Sequence, residues 1–200
     1  MMVRPTAQAL HWRHDEKDEH DEATDKDAES VMVELLRGVS LVAATITMGL
    51  AAGLFYTFSI SVMPGLGRTS DRSFINAMQR INVAILNGWF ALAFAGALVC
   101  TVLAALLQLG SDGREVLWWT VAALVLYGTV LAITFVVNVP LNNQLDAAGA
   151  PDRIADPAAV RERFEATWVR WNVVRTVAAT AAFGCLTWAL VLYGRVWPER

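Results

Sequence analysis

The sequence predicts an all-α fold: a transmembrane four-helix bundle with an amphipathic interfacial helix before spans 2 and 4. Three observations predict it. Four apolar runs, at about 39–63, 83–109, 116–139 and 171–193, each hold roughly the 20 residues needed to cross bilayer hydrocarbon. None of them contains Lys, Asp or Glu, and such runs read as membrane spans. None carries a polar stripe as wide as a soluble bundle turns to water. The hydrophobic share is 56% although the chain opens on a strongly charged stretch, so the remainder is more apolar than that average.

Two segments follow from this: an acidic tail, 1–33, and one membrane domain, 34–196. The tail includes His14-Asp15-Glu16-Lys17-Asp18-Glu19-His20-Asp21-Glu22. Such a stretch cannot bury enough surface to offset its ordering entropy, so disorder is expected. No positively charged start with a short apolar stretch behind it appears, so no cleaved signal peptide is expected. All three His residues (His11, His14, His20) lie in the tail, and Cys100 and Cys185 sit singly in apolar runs. A bis-His haem or a catalytic zinc needs intramembrane ligands of these types. No metal and no cofactor are therefore expected, and the cysteines read as packing residues.

In chain order, the first span carries Gly49 and Gly53, a spacing that lets another helix approach closely and permits a homodimer. Pro64-Gly65 is expected to end it, because Pro cannot donate a helical hydrogen bond. Ser70-Asp71 reads as a helix start, and the segment from Phe74 to Asn87 is amphipathic. Its polar stripe, Asn76, Arg80 and Asn87, is expected to run into the second span ahead of Gly88-Trp89-Phe90. The turn at Gly110–Arg114 joins antiparallel neighbours, with Trp118 and Trp119 as interface anchors. Along the third span, Tyr127, Thr134 and Asn138 share a stripe that Asn142 continues. Pro140 is expected to break that helix. Asp156-Pro157 is an N-cap followed by Pro at the first helical position. From there one helix should run unbroken through Trp168, Asn172 and Arg175, which share a face, into the fourth span, ending near Gly194 and Pro198. With four spans, the polar strings at 64–87, 138–143 and 168–176 fall at one membrane face. That face has more Arg and Lys than the other, so the positive-inside rule predicts that it is cytoplasmic in the cell membrane.

These strings also carry a likeness. Gly49-Leu50-Ala51-Ala52-Gly53-Leu54-Phe55, Val62-Met63-Pro64-Gly65-Leu66, Met78-Gln79-Arg80-Ile81-Asn82 and Asn87-Gly88-Trp89-Phe90 all contribute to it. So do Asn138-Val139-Pro140-Leu141-Asn142 and Trp168-Val169-Arg170-Trp171-Asn172-Val173-Val174-Arg175. Over about 35–193 the chain resembles the anthrone oxygenase family, earlier catalogued as a domain of unknown function. The resemblance implies a small integral membrane protein. Fungal relatives oxidise an anthrone to an anthraquinone with dioxygen, whereas most bacterial relatives have no assigned substrate. The acidic tail lies outside the family pattern.

On the enzymatic reading the protein is a cofactor-independent oxygenase of anthrone-like or other planar lipophilic phenolic substrates. Arg175 serves as a fixed cation for a developing oxyanion. Asn138 and Asn172 join it as catalytic candidates, with Asn142 also orienting substrate oxygens. Trp89, Trp168 and Trp171 supply aromatic walls, and Asn87, Thr134 and Tyr127 complete the substrate-binding set. The expected partners are the bilayer and a small lipophilic molecule, with no nucleic acid. The alternative is a non-catalytic membrane binding or partner protein. There, Asn satisfies backbone groups freed at Pro64 and Pro140, Arg caps helix carbonyls, and Trp anchors at the interface. Arg170 is expected to face headgroups or to pair with Glu162 or Glu165. A transporter is disfavoured, since neither repeats nor mid-membrane helix breaks appear.

Overall fold

The computed structural model describes residues 7–110 and 114–196, with side chains from 24 to 110 and 114 to 195. The start of the tail, the middle of the expected Gly110–Arg114 turn and Pro198 lie outside the described residues, as do the side chains of the tail histidines. Helix α1 runs Ala7–Thr57, a π-helical segment Phe58–Val62 follows, and α2 is Met63–Leu66. Then come α3 (Asp71–Ala84) and α4 (Gly88–Gln108). Helix α5 (Arg114–Ile133) passes through a second π segment, Thr134–Asn138, into α6 (Val139–Ala147), and α7 is Pro157–Val196. Four helical stretches, Thr24–Leu66, Gly88–Gln108, Arg114–Ala147 and Pro157–Arg195, are long and apolar enough to cross a membrane. The chain is thus an all-α four-span bundle.

Packing closes a ring in which α1 lies against α4 and α7, and α5 lies against α7 and α4. The central core is rich in small residues: Ala44, Ala51, Ala52, Ala97, Ala123, Ala179 and Ala182 pack with Met48, Phe55, Tyr127, Val130 and Leu186. Lipid tails give no hydrophobic drive to helix association, so close backbone approach supplies contact instead. Gly49 belongs to this intrachain packing, since a Cβ there would come 3.0 Å from the Phe183 ring. Gly53 meets nothing within 4 Å. Half of the small-residue pair read as a dimer face is therefore spent on α7 of the same chain. Gly49→Ile should cost about 1–3 kcal/mol by overpacking, while Gly53→Ile should leave the melting temperature in detergent near that of the wild type.

The sequence reading and the structure part at three places. The second span starts at Gly88, not Val83, because Asn87 leaves the helical conformation (φ −131°, ψ 169°) and caps α4. Its Oδ1 accepts from the Phe90 N–H at 3.0 Å. Neither Pro64 nor Pro140 stops its helix where expected. Each lies two residues beyond a π segment, whose widened turn closes with an i→i−5 bond from Met63 N to Phe58 O and from Val139 N to Thr134 O. The wider turn moves the carbonyl that a proline ring meets in an α-helix, so the helix continues. Third, helix reaches back to Ala7 through the stretch where disorder is expected, although residues 24–32 bury no side chain.

The membrane-face cap forms as the caps predict. Ser70 accepts from Ser73 N at 3.3 Å to start α3. Asp156 accepts from Ala159 N at 3.0 Å to start α7, which runs unbroken to Val196. Beneath them Met63, Phe74, Ile75, Met78, Leu145, Ile154, Phe164 and Trp168 form a second apolar cluster. Gly149, at φ 83°, takes the left-handed conformation that turns the chain out of α6.

Candidate functional site

Two π segments and the start of the fourth span meet between these clusters. On α7, Asn172 and Arg175 are 1% and 5% exposed, and across from them Asn138 on the second π segment is 1% exposed. The Arg175 guanidinium donates through Nη1 to Thr134 Oγ1 at 3.2 Å and through Nη2 to Asn172 Oδ1 at 2.9 Å. Its Cζ lies 4.6 Å from the Phe55 ring centre and 5.5 Å from that of Trp168. No carboxylate pairs with it among the described residues. An uncompensated buried cation is costly, and two ring faces return only part of that cost.

Asn172 ties the first span to the same point. Its Nδ2 donates to the Phe55 carbonyl at 3.1 Å and to Ser59 Oγ at 2.8 Å. Ser59 Oγ lies 2.9 Å from Thr176 Oγ1, which in turn donates to the Asn172 carbonyl at 2.8 Å. The Trp168 ring NH donates to Asn142 Oδ1 at 2.9 Å, and Asn138 Nδ2 makes a long 3.4 Å contact with the Trp168 carbonyl. Two atoms stay without a protein partner in this buried region: Asn138 Oδ1, an acceptor, and Arg175 Nε, a donor. Such orphans are rare in folded proteins and require an explanation.

The structure therefore brings together Thr134, Asn138, Asn142, Trp168, Asn172 and Arg175. It places four other expected residues elsewhere. Asn87 is a helix cap, and its Nδ2 donates to the Ala84 carbonyl at 2.8 Å. Trp89, 82% exposed, faces out from the bundle. Trp171 is half-buried and stacks with Arg170, whose Cζ is 6.0 Å from its ring. Tyr127 is fully buried, and its hydroxyl donates to the Phe94 carbonyl at 2.7 Å, joining α5 to α4. Glu165 is taken by Arg161 at 2.6 Å rather than by Arg170. Sequence reasoning missed Phe55, Ser59 and Thr176. Their signal was the i, i+4 spacing of Phe55 and Ser59 and the position of Thr176 one turn beyond Asn172.

Fold and site together define a small integral membrane protein with a buried, unpaired guanidinium near one end of its bundle. The model of the family described as Anthrone oxygenase matches residues 87–185, from the cap of α4 into α7. That match bears out, over this stretch, the resemblance carried by the sequence strings. No protein of curated function and no solved structure matches the chain.

Proposed function

We propose that the protein is a membrane oxygenase that converts an anthrone-like, planar, lipophilic substrate to the corresponding quinone. The observation that carries this reading is the buried Arg175 guanidinium, which has no carboxylate partner among the described residues and whose Nε–H meets no protein acceptor. A cation held in this way suits a guest that becomes an anion. An anthrone does so when its methylene carbon gives up a proton, because the charge spreads to the carbonyl oxygen. Arg175 Nε is the donor available to that oxyanion, and fixed donors in a dry site are worth far more than donors in water.

The resulting carbanion passes an electron to dioxygen, and the substrate radical and superoxide combine to a peroxide anion at the former methylene carbon, which takes back a proton from water to become the hydroperoxide. Loss of the second hydrogen from that carbon, with cleavage of the O–O bond, leaves a carbonyl and releases water. One dioxygen is consumed, with one of its oxygens in the quinone and the other in water. The first proton leaves to water at the polar face, since the ion-paired carboxylates Asp71 and Glu165 are engaged by Arg161.

A route for the guest is suggested by a row of rings. Phe55, which covers the guanidinium, meets Phe94 edge-on at 6.4 Å, and Phe94 meets Phe135 at 6.3 Å. Phe135 is 62% exposed on the lipid-facing surface. A planar guest dissolved in the bilayer can exchange with these stacked rings on its way to Arg175. In the same reading the protein resides in the cell membrane with its Arg-rich face cytoplasmic. The test is to supply anthrone to the detergent-purified protein and follow oxygen uptake together with anthraquinone absorbance. Equimolar oxygen consumption and quinone formation, well above spontaneous oxidation, is the expected result. A rate no faster than buffer ends the proposal.

A further inference from the structure

We propose that the cleft between α6 and the first turns of α7 binds the phosphate of an anionic phospholipid headgroup, whatever reaction the protein catalyses. The two helices run antiparallel here. Asn142 on α6 accepts from the Trp168 ring NH, while Leu145 and Phe164, farther from the spans, share the second apolar cluster. Along their seam Leu141, Gln144, Leu145, Arg163 and Phe164 line a cleft of about 60 Å³. Holding one water-sized atom takes about 10–15 Å³. The cleft therefore has room for the four oxygens of one phosphate, and not for a bulky headgroup.

Charge and depth select the occupant. Arg163 is exposed and has no carboxylate partner among the described residues. Gln144 beside it offers a neutral amide, and no carboxylate among the described residues lines the cleft. Glu162 and Asp146, close in sequence, are exposed and outside that lining. A guanidinium fork grips phosphate through two parallel hydrogen bonds. A zwitterionic headgroup also carries a phosphate, but its ammonium finds no opposite charge in the cleft, so an anionic headgroup is preferred. Trp188, exposed towards the other end of α7, marks the far interface. Trp168 lies 20 residues before it, the length that crosses bilayer hydrocarbon. Arg163 is five residues farther out, about 7.5 Å, which is headgroup depth. The outward stripe of α7 continues from Arg163 through Thr167 and Arg170 to Val174 and Val177, all exposed. Arg170 also has no carboxylate partner among the described residues and adds a second cation, which snorkels outward over Trp171. One stripe thus presents cations to the headgroup and apolar side chains to the acyl chain below it.

The experiment places the full chain in nanodiscs of equal parts dioleoylphosphatidylglycerol and dioleoylphosphatidylcholine. After extraction into detergent, native mass spectrometry counts the lipids retained on the protein. The wild type should retain the glycerol lipid in clear excess. Arg163→Gln should lower that excess about fivefold, the worth of one basic residue at an anionic lipid surface. Gln144→Ala should lower it by a smaller factor, since it removes a neutral donor. Arg80→Gln takes the same charge from α3, outside the cleft, and should leave the excess unchanged. All three side chains are exposed, so melting in detergent should not move. A wild type that retains both lipids equally overturns the proposal. Equal losses in the Arg80 and Arg163 variants overturn it too, because they mark a diffuse surface field. Loss of the excess in inorganic phosphate at constant ionic strength makes the cleft a free-anion site and overturns the lipid assignment.

Discussion

Arg175→Met is expected to lower kcat for anthrone by roughly a hundredfold to a thousandfold, the loss seen when one preorganised oxyanion donor is removed. KM should change little, because the guanidinium meets full charge only once the proton has left the substrate. The fold should survive. Removing a buried cation that has no counter-charge relieves a desolvation cost, and Met fills similar volume. Thr134 keeps its own bond to the Val130 carbonyl at 2.7 Å, and Asn172 keeps Phe55 and Ser59 through Nδ2. Only Asn172 Oδ1 loses its donor, a cost of about 1–2 kcal/mol. Arg175→Lys retains the charge but not the fork that reaches Thr134 and Asn172 at once, so its rate should fall between the two. Oxygen uptake and thermal unfolding in detergent, measured on the same preparations, decide the matter. A Met variant with wild-type kcat refutes a catalytic role for Arg175, whatever its stability.

What the sequence made legible follows from periodicity, and what it hid follows from backbone detail. The uninterrupted apolar runs required four spans, and Ser70-Asp71 and Asp156-Pro157 located two helix starts from capping chemistry alone. The face shared by Trp168, Asn172 and Arg175 was readable because α7 has no break in it. The stripe through Asn76 and Arg80, which bond at 3.0 Å, did not reach Asn87, because α3 ends at Ala84 and Asn87 is extended. The π segments could not be read, since a turn with one extra residue leaves no mark in hydrophobic spacing. Yet they place Thr134 and Asn138 on one side of the site and Phe58 near Trp168, with ring centres 5.6 Å apart, on the other. The proline in Met63-Pro64 and Val139-Pro140 was the visible trace of each, and it was read as a stop rather than as a widened turn. Arg161 was hidden for another reason: apart from Glu165, its partners lie about 90 residues away in sequence.

Arg161→Ala should have a large effect on stability, a loss of about 2 kcal/mol, because it releases two carboxylates, two carbonyls and a ring face at once. The side chain is only 14% exposed. It donates to Glu165 Oε2 at 2.6 Å, Asp71 Oδ1 at 3.0 Å, and the carbonyls of Thr69 and Gly67 at 3.0 and 2.9 Å. Its Cζ also sits 4.6 Å over the Phe74 ring. One planar fork thus fastens the turn between the first span and α3 to the fourth span's helix. Lysine, a point charge with three donors, cannot span these four acceptors, and Arg161→Lys should recover less than half of the loss. Thermal unfolding in detergent gives the stability, and limited trypsin digestion gives the location. Arg68 lies in the fastened turn, so cleavage after it should be much faster in the Ala variant. Unchanged melting and unchanged cleavage would reduce Arg161 to an ordinary surface ion pair.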